Sequence, residues 1–146
     1  MNWKQEAIND LRSYEAQKQS LNCIKERISA LEDSYQAIKC SQTDSIAVQG
    51  GGASRIEDRM LDNIVERERL THTYKATQKL VGLVDQGLAG LTNDERAVLN
   101  KFYITRTHGH VETLMEELHL EKTRIYQIKD KAIYNFTISM YGISEY

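Results

Sequence analysis

The sequence predicts an all-α fold: a long antiparallel helical hairpin of coiled-coil character, followed by a small helix-turn-helix domain. Three observations predict it. The 146 residues contain no proline, the residue that removes a backbone donor and clashes with the preceding helical turn. Apolar residues recur at helical spacing along two long stretches. Five of the eight glycines (Gly50, Gly51, Gly52, Gly90 and Gly109) fall in expected connections.

The first helix is predicted from about Trp3 to Cys40. Leu21, Ile24, Ile28, Leu31, Tyr35 and Ile38 follow a 3-4-3-4-3 spacing, which makes one narrow apolar seam. Upstream the seam drifts. Ile8 and Leu11 fit a different register, with Tyr14 and Lys18 bridging the two, as in a stutter or a splayed end. Ser41–Ala53, polar and glycine-rich, predicts a flexible connection, since each glycine in a helix costs roughly 1 kcal/mol against alanine. A second helix is predicted from Ser54, where Ser54 and Glu57 form a capping box, to about Gln86. Its apolar positions include Met60, Leu61, Ile64, Val65, Leu70, Tyr74, Leu80, Val81 and Val84. Glu66 to Arg69 alternate in charge and predict a solvated face, while Gly82 and Gly87 weaken the far end. Each long helix must cover one apolar stripe, so residues 1–87 are expected to fold back on themselves. Their surplus apolar surface predicts a homo-oligomer, a dimer through the hairpin.

Residues 88–146 form the expected second domain. Thr92 and Glu95 make another capping box for a helix Asp94–Ile104, and Thr105–Gly109 is a loop. Val111–Leu118 is an amphipathic helix, His119-Leu120-Glu121 a tight turn, and Lys122–Phe136 a helix that continues to Tyr141 and stops at Gly142.

Composition excludes several classes of function. The net charge of -2 leaves nucleic-acid affinity to a local patch. Lys122–Tyr134 supplies one, with Lys122, Arg124, Lys129 and Lys131 against Asp130 alone. No apolar run reaches membrane-spanning length, and the first ten residues lack the apolar core of a secretory signal. Cys23 and Cys40 would lie roughly 25 Å apart on one straight helix, too far for a disulfide. A reduced, cytoplasmic protein is the expectation. No cofactor is expected. His108-Gly109-His110 could suggest a metal pair but has no third ligand, and Glu112 with Glu116 is an ordinary polar helix face. The triple glycine lacks the Lys-Ser or Lys-Thr of a phosphate loop. Tyr14, Tyr35 and Tyr74 are expected to pack along the hairpin. No enzyme is expected.

The paired helices suit DNA. Leu114, Met115 and Leu118 would face inward from the first helix, Leu120 would fill the angle at the turn, and Ile125, Ile128 and Ala132 or Ile133 would face inward from the second. That leaves Lys122 and Thr123 free on the first turn, with Tyr126 and Gln127 one turn on. Glutamine can pair bidentately with adenine, and tyrosine can touch a base edge or a thymine methyl. Arg124, Lys129 and Lys131 are better placed for phosphate, which gives affinity without sequence information.

On these residues the chain resembles a known family. LTNDERAVLNKFY, with Glu95, Arg96, Val98, Leu99 and Tyr103 matching, and VETLMEELHLEKTRIYQIKDKAI after it, resemble region four of the housekeeping-type sigma factors. Val48–Gly52 and Ile64–Leu70 extend a likeness to small phage and prophage proteins of the ArpU and RinA type over nearly the whole chain. Two positions depart from the sigma pattern: His119 stands where glycine is usual, and Met115 where a small residue is usual. The resemblance implies a phage-encoded transcriptional regulator of late, packaging or lysis genes, working in the bacterial host cell. Its implied partner is double-stranded DNA, with host RNA polymerase as a candidate second partner. The alternatives are a small terminase-like packaging subunit, or a helical module that grips RNA polymerase without touching DNA.

Overall fold

The computed structural model describes residues 1–44 and 52–143. Its elements are all helical: α1 (Trp3–Asp44), α2 (Gly52–Ala89), α3 (Asn93–Leu99), a π-helical turn (Asn100–Ile104), α4 (His110–Leu118) and α5 (Lys122–Tyr141). Helix α1 runs past Cys40 to Asp44, and α2 opens at Gly52, so Ser54 lies inside the first turn rather than ahead of it. The centre of the glycine-rich connection, residues 45–51, lies outside the described residues. The expected single helix over Asp94–Ile104 is instead α3 followed by the wide turn, which Thr105 closes by donating its N–H to the Asn100 carbonyl at 2.7 Å. Among the described residues no helix is long and apolar enough to cross a membrane.

The chain divides into two compact units, Met1–Lys18 with Lys79–Tyr146, and Gln19–Gln78. The boundary expected at residue 87 therefore falls inside the first unit, which takes in the start of α1 and the end of α2.

In the unit Gln19–Gln78, α1 and α2 run antiparallel. Ile28 and Glu32 flank the stretch from Ile64 to Lys75, while Ser34 and Ile38, later in α1, flank Ile56 and Arg59, earlier in α2. Every residue of the 3-4-3-4-3 seam is half-buried, because one partner helix covers only one side of the stripe. Asn63 is the polar clasp of this pair. Its amide donates to the Leu31 carbonyl at 2.8 Å and its oxygen accepts from Arg67 Nε at 2.8 Å. Arg67 lays its guanidinium over the Tyr35 ring, 4.9 Å from the centroid. Arg67 is thus drawn inward from the alternating-charge run expected to be solvated, whereas Glu66 and Arg69 do pair at the surface. Leu61 and Val65, expected on the apolar stripe, are more than half exposed.

The other unit is more deeply packed. Ala7, Ile8, Leu11 and Tyr14 of α1, Val81 and Val84 of α2, Leu91, Leu99 of α3, and Ala132, Ile133 and Phe136 of α5 are all buried. Trp3 packs on Tyr141 with ring centroids 5.1 Å apart. Two phenols at the edge of this core tie the ends of the long helices down: Tyr14 donates to Asp85, and Tyr141 to Asp10. Burial and then the Asp85 carboxylate push the Tyr14 phenol up to about 12. Burial and Asp10 raise Tyr141 further in the same direction. Gly87 is a point of close approach: a Cβ there would stand 2.8 Å from Phe136 Cε2 and 3.2 Å from Met140 Sδ. At Gly82 a Cβ would meet nothing within 4 Å.

This packing sets the two glycines apart. Gly87→Ala should lower the free energy of urea unfolding by about 1–3 kcal/mol, the range for overpacking. Gly82→Ala should raise it by up to about 1 kcal/mol, because alanine is the better helix former. Equal effects at the two sites would refute the close-approach assignment. Alkaline pH should also destabilise the fold. A phenol whose folded value is raised contributes stability below its ordinary value of about 10, and that contribution is lost as pH rises through the folded value. Stability should therefore fall from about pH 10 towards about 12, where Tyr14 ionises, and Tyr14→Phe should flatten the slope measured by urea titration across that window.

Candidate nucleic-acid interface

The candidate surface is built on α4, the turn and α5. Gly109 precedes α4 with φ 72°, and His119 ends it with φ 56° and ψ 44°. The left-handed residue lets the chain reverse, and Leu120 donates its N–H to the Met115 carbonyl at 3.3 Å. Beneath the turn lies one apolar cluster. Leu114 and Ile125 are fully buried in it, with Val98, Phe102, Val111 and Ile128 around them. Met115, Leu118 and Leu120 pack half-buried against its edge. The inward stripe of α5 continues through both Ala132 and Ile133. Burial of each large apolar side chain here is worth about 1.5–3 kcal/mol, so this stripe fixes which face of α5 points out.

The outward face carries Lys122, Thr123, Arg124, Tyr126, Gln127 and Lys131, all exposed. All of them but Thr123 divide between two grooves. Lys122 and Tyr126, one turn apart, line a groove of about 480 Å³ with Arg106, His108, His110 and Glu112. Arg124, Gln127 and Lys131 line a second, of about 210 Å³, against Thr92, Asp94 and Glu95. Arg124 Nη1 donates to Gln127 Oε1 at 3.4 Å, a long bond that leaves both groups open to other partners.

Lys129 sits differently from the other cations. Its side chain is only 23% exposed, its ammonium lies 5.6 Å from the Phe102 centroid and 5.3 Å from that of Tyr126, and Asp130 pairs with it at 3.4 Å. The Tyr126 ring stands edge-on to Phe102 with centroids 5.7 Å apart. Lys129 is thus a cation set against two rings, one of them Tyr126.

A second polar joint orients α5 from the other side. Thr92 caps α3, accepting from the Glu95 N–H at 3.2 Å while its hydroxyl donates to Glu95 Oε1 at 3.1 Å. The other carboxylate oxygen accepts from Asn135 Nδ2 at 3.0 Å. Glu95 is 7% exposed, so these bonds compensate a carboxylate taken almost wholly out of water.

The sequence alone gives Arg106, His108 and His110 no DNA role, and the two histidines read there only as an incomplete metal pair. A usable signal is present all the same, as three cation-capable residues within five positions leading into α4. Among the described residues no group of three or more histidine, cysteine or acidic side chains could hold a metal ion. No protein-family model matches this chain, and no curated protein or solved structure does either.

His119 offers a direct check of the turn. A left-handed conformation disfavours any residue with a Cβ by about 1–2 kcal/mol, while glycine loses more chain entropy on folding. His119→Gly should therefore stabilise the fold by a net of about 0.5–1 kcal/mol, read as a higher melting temperature. A fall would show that the His119 side chain supports the fold in another way.

Proposed function

We propose that this chain is a phage-encoded DNA-binding transcriptional regulator, acting on late, packaging or lysis genes, with α4 and α5 as a sigma region-four-like helix-turn-helix. Helix α5 is the reading helix. One observation carries the reading: the inward face of α5 is locked by Ile125, Ile128 and Ala132, all buried, while Lys122, Thr123, Arg124, Gln127 and Lys131 stand exposed on its other sides. Such a helix can enter a major groove with its first turns while its rear stays in the protein core.

Electrostatics favour the same role. Lys122 and Arg124 occupy the first turn of α5, which holds no acidic residue. The helix macrodipole is positive there, so cations in that turn oppose helix stability by a few tenths of a kcal/mol to about 1 kcal/mol. A site that departs from local stability rules in this way fits one that awaits an anion. Of the anions of α4, Glu117 is drawn towards Lys101 at 3.9 Å, and only Glu112 shares a groove with Lys122. In this reading Thr123, Tyr126 and Gln127 meet base edges, and Lys122, Arg124 and Lys131 meet phosphate. Exposed Leu61 and Val65 support self-association through α2, which would pair two readers on one site.

Selection from a random duplex pool followed by gel shift tests the proposal. Wild-type protein should retain a defined duplex with strong salt dependence. Lys122→Ala with Arg124→Ala should weaken retention by about tenfold or more and lower the salt slope by about one for each phosphate the protein no longer touches. Retention of the duplex unchanged by the double substitution would remove α5 as the reader. Capture of RNA polymerase with no duplex retained at low salt would replace DNA by a protein partner.

A further inference from the structure

We infer that the groove between the loop ahead of α4 and the start of α5 is a cradle for a backbone phosphate, and that His108 and His110 make its grip on DNA stronger as pH falls. This assignment rests on the DNA reading above and gives a role to a histidine pair that the reading helix leaves unused.

The groove is formed by Arg106, His108, His110 and Glu112 on one side and by Lys122 and Tyr126 of α5 on the other. Two fixed cations face one carboxylate, so its net charge is a single positive unit with both imidazoles neutral, and three with both protonated. Histidine is the side chain whose charge ordinarily changes between about pH 5 and 8. A nearby anion favours the protonated imidazole, and the protonated imidazole favours the anion. Fixed cations beside the pair oppose a metal ion and suit a phosphodiester, for which imidazolium, guanidinium and ammonium are all donors.

The groove walls are held from behind. The His110 ring meets Phe102 edge-on at 4.6 Å, and Tyr126 meets the same ring edge-on from α5, with the Lys129 ammonium over both Phe102 and Tyr126. Lys122 and Tyr126 belong both to this groove and to the outward face of α5. A duplex seated on α5 would therefore bring one of its strands to the mouth of the groove.

The test has two arms at constant ionic strength. In the first, the affinity for the selected duplex is measured at about pH 7.5 and about pH 5.5, on either side of the ordinary imidazole value. Wild-type protein should bind about tenfold tighter at the lower pH, His108→Gln with His110→Gln should lose that gain, and His72→Gln, in the other unit, should keep it. His108→Gln alone should lose part of the gain, which keeps the test decisive if replacing His110 against Phe102 harms folding. In the second arm, sulfate alone is titrated at about pH 6, where imidazole is partly protonated, while the imidazole resonances are followed by NMR. His108 and His110 should shift in wild-type protein and not in Lys122→Gln. Sulfate-dependent shifts with no duplex retained would leave the anion cradle standing and overturn the DNA reading. A duplex bound equally at both pH values, a pH response that survives both histidine substitutions, or imidazoles indifferent to sulfate would overturn the cradle.

Discussion

The structure of the larger unit turns on Phe136. Its ring is wholly enclosed, and it comes so close to the α2 backbone that position 87 has no room for a side chain. Around that contact α5 is clamped by α2 at Gly87, by Glu95 of α3 through Asn135 and, through Tyr141, by Trp3 and Asp10 of α1. Only the rear of α5 is used in this way. The front half projects from the clamp with its own small core of Leu114, Ile125 and Ile128. One continuous helix is thus anchored at one end and displayed at the other, and the display inherits its rigidity from the anchor.

Electrostatics then decide which parts of the display are available. The whole chain is slightly acidic, yet the first turn of α5 gathers cations without a carboxylate among them. Not every cation is turned outward. Lys129 is turned to aromatic rings and Arg67, in the other unit, to Tyr35. Both cases show charged side chains used for their flat contacts and stems as much as for their charge. The buried Glu95, held by Thr92 and Asn135, works in the opposite sense, fixing the start of α3 to α5 with directed hydrogen bonds.

Much of this was legible in the sequence, for physical reasons that differ by element. The absence of proline and the helical spacing announced an all-helical chain. The inward stripe of Leu114, Ile125 and Ile128 was readable because a helix with one buried face must repeat its apolar residues at 3–4 spacing. The change of register near Tyr14 and Lys18 was visible too. Its cause was not, and it coincides with the place where α1 passes from one compact unit to the other. Other features left no periodic mark. The π-helical turn is a hydrogen-bond shift of one residue inside an otherwise ordinary helical pattern. The exposure of Leu61 and Val65 depends on how far a single partner helix can reach around α2. The groove of Arg106, His108 and Lys122 joins residues from a loop and a helix that only the chain reversal at His119 brings together.

The shared ownership of that larger unit by both halves of the sequence has a practical meaning for its dissection. A fragment cut to contain α3, α4 and α5 alone would lack the buried Leu11, Val81 and Val84 and would take the α2 backbone at Gly87 away from Phe136. The displayed helix is therefore not portable as a C-terminal piece. A minimal version of it would need the first turns of α1 and the last turns of α2 spliced together, with the intervening Gln19–Gln78 replaced by a short closure.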